Sequence, residues 1–151
     1  MPHKLDLKIN YIRDGRAPIP ENEKISKTMS GNRAKGTKPE LALRKKLYSK
    51  GIRGYRVNHK TLSSHPDLIF SRKKLAVFIN GCFWHRCPYC KTPLPRTHTT
   101  FWADKFEINK LRDKRNLSEL KRANWNTMVV WECRIKKSLA KVVSRIEKRL
   151  T

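Results

Sequence analysis

Every cysteine of this chain falls in one of two places. Cys82, Cys87 and Cys90 lie within I-N-G-C-F-W-H-R-C-P-Y-C (79–90), and Cys133 stands far downstream in W-E-C (131–133). If the four thiolates share one ion, a fold must bring together segments more than forty residues apart. The run L-A-V-F-I (75–79) before the first group suits a buried central strand, and T-M-V-V-W (127–131) before Cys133 suits another. A shared ion would staple the loop after the first strand to the end of the second.

Two metal chemistries fit the order Cys-x4-Cys-x2-Cys…Cys. A thiolate tetrad binds Zn²⁺ tetrahedrally and stabilises a loop too irregular to pack alone. The same spacing serves plant-type [2Fe–2S] clusters. Zinc is the better reading, because the loop is set among Lys and Arg and carries Phe83 and Trp84, which suits meeting a polyanion more than exchanging electrons. Four unrelated buried cysteines would be an odd accident with three of them in nine residues. Four thiolates leave zinc no open position, so that metal would be structural and any chemistry must come from its neighbours.

The charge says what the chain meets. Thirty-six Lys and Arg against twelve Asp and Glu give a net charge of +24 over 151 residues, enough chain for one domain. Such a surface repels itself unless it meets a polyanion, and nucleic acid is the obvious one. No apolar run approaches membrane-spanning length. M-P-H-K-L-D-L-K at the N-terminus lacks the apolar segment of a secretory signal, so a cytoplasmic location is expected, where cysteines serve as ligands rather than disulfides.

Residues 1–25 mix charge with Pro18 and Pro20 and read as a basic arm, leaving 26–151 as the folded domain. A short basic helix is expected between Glu21 and Arg33. T-K-P-E (37–40) opens a second helix: Thr37 as N-cap, Pro39 in the first turn, Glu40 closing a capping box, Leu43 and Leu47 on one face, and Gly51 at the end. Strands are expected at Tyr55–Asn58, Asp67–Phe70, Leu75–Ile79 and Thr127–Trp131. Helices are expected over Ile108–Ala123, with Ile108, Leu111 and Leu120 on its face, and along Leu139–Leu150. The order predicts an α/β architecture, a small mixed sheet flanked by helices.

Among residues near the cysteines, His85 rides on the pinned loop, as a catalyst, an alternative ligand or a surface residue. Asp67 in S-S-H-P-D-L-I-F (63–70) sits where Pro66 forces an extended approach, at the mouth of an apolar strand. It can bind Mg²⁺ beside the end of the strand at Ile79, or be a solvated strand-end acid. Glu40 is explained by its cap. Phe83-Trp84 and Phe101-Trp102 either stack on bases or fill core. Trp125 and Trp131, flanking the last strand, read as packing.

The motifs T-K-P-E-L-A-L-R-K-K-L (37–47), H-P-D-L-I-F (65–70), A-V-F-I-N-G-C-F-W-H (76–85), F-W-x-x-K (101–105), N-x-x-R-D-x-R (109–115) and V-V-W-E-C (129–133) together resemble the very-short-patch mismatch-repair endonucleases. These are small bacterial enzymes of restriction-endonuclease-like fold that nick DNA beside a T·G mismatch. The resemblance implies a three-layer α/β fold with a zinc-pinned loop, double-stranded DNA as partner, a monomer aided by repair-pathway proteins, and a bacterial or archaeal cytoplasmic setting. It implies that Asp67 binds catalytic Mg²⁺ together with the Ile79 carbonyl, that His85 is the general base toward water, and that Glu40 touches the metal's water shell. It also implies that Phe83, Trp84 and Trp102 wedge into the duplex, that Met29 enters from the opposite groove, and that Lys105 contacts DNA. Two positions depart from the family. Ile79-Asn80 stands where familiar members have Thr-His, so Asn80 can donate a hydrogen bond at the phosphate but no proton. Cys82, Cys87, Cys90 and Cys133 make an all-cysteine site where the family includes a histidine.

The expectation is therefore a Mg²⁺-dependent DNA nickase with a structural Zn²⁺. Its rivals are a non-catalytic zinc-stabilised nucleic-acid-binding module, and a nuclease of the same fold acting on unmodified duplex.

Overall fold

Thr37 begins the first helix as the sequence predicts. Its hydroxyl accepts from the Glu40 N–H at 3.4 Å and donates to Glu40 Oε1 at 3.1 Å, while Glu40 Oε2 takes the Gly36 N–H at 2.9 Å. Helix α1 runs Lys38–Ser49 and buries Leu43 and Leu47 completely. It ends where Gly51 adopts φ 78°, with Gly51 N–H on Tyr48 O and Ile52 N–H on Leu47 O, the paired bonds of a Schellman motif. The computed structural model describes residues 23–24, 35–59 and 64–151. Except for residues 23 and 24, which are helical and exposed, the expected basic arm and the short helix expected between Glu21 and Arg33 lie outside them.

Four strands form one mixed sheet in the order β1 (Arg56–Val57), β2 (Leu68–Phe70), β3 (Leu75–Asn80), β4 (Asn126–Trp131). β1–β2 and β2–β3 are antiparallel, whereas β3 and β4 run parallel with Asn80 opposite Trp131. Parallel strands need a long crossover, here helix α2 (Thr99–Arg122). Helix α3 (Glu132–Leu150) follows β4 directly and is broken at Ser138 (φ −147°, ψ 55°).

Alternation along the strands sorts the side chains. Leu68, Phe70, Leu75, Val77, Met128 and Val130 face one side and form a single core with Leu43 and Leu47 of α1 and Ile135, Val142, Val143 and Ile146 of α3. Helix α2 packs on β4 with buried residues outside that cluster, so the sheet is the middle of three layers. This is the expected fold class.

Two helices start earlier than the sequence suggested. α2 opens at Thr99, behind a His98 whose side chain makes no capping hydrogen bond. Its buried face carries Trp102, Phe106, Asn109 and Leu120, leaving Ile108 and Leu111 59% and 61% exposed. Only Leu120 of the three expected apolar positions is buried. α3 begins at Glu132, without a side-chain cap, so Cys133 lies in its first turn.

Candidate active site and metal centre

Asp67 stands just before β2 with its main chain locked on both sides. Its N–H binds Val77 O at 2.9 Å, and its carbonyl takes the Asn58 N–H at 3.0 Å. The side chain turns to the next free donor along β3, so Oδ2 accepts from the Ile79 N–H at 2.6 Å. Burial raises the Asp67 carboxyl from 3.8 to about 6. The Ile79 N–H opposes the rise, the negative charge of Glu40 adds to it, and His85 again opposes it. Glu40, expected as a helix cap and metal neighbour, is thus a cap buried to 4% exposure whose charge also reaches Asp67. Asp67, Glu40 and His85 share one electrostatic neighbourhood. Two acids with few partners other than backbone donors could hold a hard cation there.

His85 is delivered by the turn after β3, where its N–H binds Gly81 O at 3.2 Å and the Cys87 N–H binds Cys82 O at 3.0 Å. Its Nδ1 lies 2.5 Å from Asp113 Oδ2, with both side chains about a quarter exposed. A carboxylate there is best served by an Nδ1–H donor, which leaves Nε2 free to accept a proton. One turn earlier on α2, Asn109 Nδ2 donates to Trp84 O at 3.0 Å, and Arg112 donates to Asn109 Oδ1 at 2.8 Å. Residues 84 and 85 are therefore gripped by residues 109 and 113 of one helix face. Asp113 was missed as a site residue, although N-x-x-R-D-x-R places Asn109 and Asp113 one turn apart. The i, i+4 pairing of an amide with an acid was the available signal.

The four cysteines come together as expected. Their sulfurs all lie within 4.8 Å of one another, and Cys87 Sγ is 3.7 Å from Cys133 Sγ. The Cys133 N–H donates to Cys82 Sγ at 3.4 Å. None of the four is in a disulfide, and burial pushes the Cys82 thiol above its ordinary range. Such a set could hold a metal ion.

Phe83, Trp84, Trp102 and Phe106 form one aromatic cluster with ring centroids 5.2–5.7 Å apart. Phe83 and Trp84 are half-buried, while Trp102 is only 9% exposed at its centre. Arg86 lies over Phe106 at 4.5 Å and donates to Thr92 O. Lys105 and Asn80 are half-buried, Asn80 one residue beyond Ile79. Met29 lies outside the described residues.

Residues 18–91 match the model of the DNA mismatch endonuclease Vsr family. The Type II nicking enzyme V.NmeAIP of Neisseria meningitidis is 42% identical over 68% of this chain and 73% of its own length. The chain belongs to the Vsr family. The DNA mismatch endonuclease Vsr of Escherichia coli is 31% identical over 80% of this chain and 76% of that protein. The Type II nicking enzyme V.HpaIIP of Haemophilus parainfluenzae is 36% identical over 86% and 91%. Among solved structures, the catalytic domain of the homing endonuclease I-Bth0305I shares the fold, with a TM-score of 0.51 and 22% identity over 76% of this chain and 94% of that one. As a Vsr-family member the chain is a DNA endonuclease with the restriction-endonuclease-like architecture. Among the described residues no helix is long and apolar enough to cross a membrane.

Proposed function

We propose that this endonuclease nicks one strand of duplex DNA beside a T·G mismatch, using Mg²⁺ at Asp67, water activated by His85, and a structural Zn²⁺ on the four cysteines. The observation that carries the reading is the convergence near the end of β3: half-buried Asp67, bonded to the Ile79 N–H, feels the charges of buried Glu40 and of His85, whose ring is paired with Asp113. The names of the relatives, nicking enzymes and a mismatch endonuclease, support the substrate.

The donor sets fit the two ions. Tetrahedral Zn²⁺ with bonds near 2.3 Å needs sulfurs about 3.8 Å apart, and the Cys87–Cys133 separation is 3.7 Å. At Asp67, one carboxylate oxygen is taken by the Ile79 N–H, and Oδ1 remains for a hard cation. Bound there, a magnesium ion would supply positive charge against the scissile phosphate and its leaving oxygen. His85 Nε2 takes a proton from the attacking water, and Asp113 at Nδ1 holds the ring in that tautomer and balances the charge it acquires. Glu40 orients polar groups beside Asp67 from the first turn of α1. Asn80, the neighbour of Ile79, donates a hydrogen bond toward a phosphate oxygen. Phe83 and Trp84 offer half-exposed rings to the duplex, Trp102 supports them from beneath and can move outward with them, and Lys105 binds backbone phosphate. Met29 is assigned the opposite groove on the resemblance alone. The enzyme acts as a monomer, with the basic N-terminal arm adding phosphate contacts and repair-pathway proteins as accessories.

The test compares a duplex bearing a single T·G pair with its matched counterpart, with and without Mg²⁺. One strand of the mismatched duplex should be cut, only with the ion, and neither Asp67→Ala nor His85→Ala should cut while both bind DNA as wild type does. Normal cleavage by both variants ends the catalytic assignment, and equal cutting of matched duplex ends the mismatch assignment.

A further inference from the structure

Beside β4, the edge strand of the sheet among the described residues, lies a groove of about 300 Å³ that the nicking machinery does not use. Its wall from α3 presents Arg134, Lys141 and Arg145, with Ser138 between the first two. Lys141 and Arg145 lie one turn apart on the helix after the break at Ser138, and Arg134 stands on the turn before it, so the three cations reach the groove from both sides of the kink. A shallower hollow continues past Arg145 to Lys148. None of the residues lining the groove is acidic. Glu132 is instead drawn to Lys136, at 3.6 Å.

Charge alone would be unremarkable in a chain of +24, but the floor and far wall are aromatic and apolar. Trp131 and Val129 come from β4, and Tyr89 from the cysteine-rich loop. Tyr89 is 60% exposed and Arg134 lies over its ring at 4.1 Å, so a cation sits against one face of a ring that is otherwise largely exposed. A row of cations that tracks a backbone, beside aromatic faces on which bases can stack, is the chemistry of single-strand recognition. A duplex laid across the groove would touch the rim cations and leave Tyr89 and Trp131 unused. The volume lies at the small end of ligand sites and suits a nucleobase rather than a paired helix. Trp131 stands opposite Asn80 in the sheet, so the groove starts at the same end as the catalytic groups.

We propose that this groove is a second nucleic-acid site that binds unpaired DNA, its phosphates on Arg134, Lys141 and Arg145 and a base against Tyr89 and Trp131. The proposal depends on the chain meeting DNA, as its family does, and not on which bond it cuts.

The experiment measures binding of a fluorescent oligo(dT) about a dozen nucleotides long, together with duplex binding and nicking. Lys141→Glu with Arg145→Glu should weaken oligo(dT) binding at least about thirtyfold and flatten its salt dependence by more than about one log–log unit. Tyr89→Leu should weaken it about tenfold, through the lost stack. Duplex affinity and nicking should stay within about twofold of wild type in the charge-reversed protein. If that variant fails to fold, Lys141→Gln with Arg145→Gln reads the same quantity in a gentler form. Unchanged oligo(dT) binding overturns the proposal. So does an equal loss for duplex, which would make the stripe a general polyanion face. Competition by polyglutamate with the same dependence on Tyr89 and Lys141 would make it a surface for an acidic protein. Because oligonucleotide binding is read separately from nicking, either result can fail while the other stands.

Discussion

Asp67→Asn is expected to abolish nicking and, in the same molecule, to stabilise the magnesium-free protein. The carboxyl is lifted from 3.8 to about 6, chiefly by burial and in part by Glu40. Two units at 1.36 kcal/mol each give a cost of roughly 3 kcal/mol for keeping that charge in the folded state. Contact with solvent discounts it to roughly 2 kcal/mol. Asparagine keeps an oxygen for the Ile79 N–H, now bonded at 2.6 Å, and loses only the charge-assisted part of that bond, about 1 kcal/mol. A net gain of about 1 kcal/mol remains, equivalent to a rise of about 2–4 °C in Tm for a chain of this size. The pH dependence gives the sign. A folded-state value above 3.8 means that between about pH 4 and pH 6 the native protein holds a proton the unfolded chain has lost, so wild-type stability falls as pH rises through that window. Asparagine has no such proton. Its advantage should be small near pH 5 and larger by about 1 kcal/mol near pH 8, well above the folded-state value. Thermal unfolding followed by circular dichroism, without chelator so that any ion on the cysteine site is left in place, measures both. Added Mg²⁺ should raise Tm for wild type by mass action and leave the variant unmoved. An asparagine variant less stable than wild type by the same amount at both pH values, or one equally responsive to Mg²⁺, would refute the reasoning.

Asp113→Asn keeps the volume but takes the charge from His85 Nδ1 and lets the amide donate there, selecting the tautomer whose Nε2 cannot accept a proton. Nicking should fall about 10²–10⁴-fold, with duplex affinity held; a variant cutting at the wild-type rate removes Asp113 from the account. Cys133→Ser opens the thiolate tetrad without altering any group placed near DNA. Metal content by mass spectrometry should drop from one zinc per chain toward none, and Tm and nicking should fall together, whereas full activity with no bound metal would show that the loop holds His85 unaided.

The sequence carried some of this plainly and hid the rest for identifiable reasons. Helix α1 was readable at both ends because Thr37, Glu40 and Gly51 are local devices whose partners are three or four residues away. Strands β3 and β4 were readable to within a residue because each is a nearly continuous run of apolar, mostly β-branched or aromatic residues. The start of α2 was not readable. His98 offers no cap, and Phe101-Trp102 in basic company read as loop, because nothing local shows that Trp102 and Phe106 face the aromatic residues at 83 and 84. For the same reason Ile108 and Leu111 looked like the core face, when an amide and an acid, Asn109 and Asp113, hold the partner loop. Burial there follows the position of the helix over the cysteine loop, a tertiary fact that periodicity does not contain. α3 likewise continues from β4 without the turn residues that mark most junctions.

What joins the legible and the hidden parts is the direction of one strand pair. Because β3 and β4 are parallel and Asn80 sits opposite Trp131, the chain leaves both strands at the same end of the sheet. Cys82 is two residues past the first strand and Cys133 two past the second, so these two thiols meet with almost no connecting chain to order. Loop-closure entropy for the clamp has already been met by the sheet, and only Cys87 and Cys90 must be folded back. The short turn that does so carries His85 between Cys82 and Cys87, and from α2 Asn109 holds the Trp84 carbonyl while Asp113 holds the imidazole. Asp67, meanwhile, is held to β3 itself through Ile79. The acid and the imidazole are therefore referenced to the same strand end by independent supports, one through sheet hydrogen bonds and one through sulfur and helix. A general base must hold its geometry to within a fraction of an ångström to be useful. In a loop this short, aromatic packing of Phe83 and Trp84 on Trp102 and Phe106 fixes one side of the turn, and on the proposed reading an ion on the four cysteines would fix the other, which gives the tetrad a reason to stand beside the site without reacting.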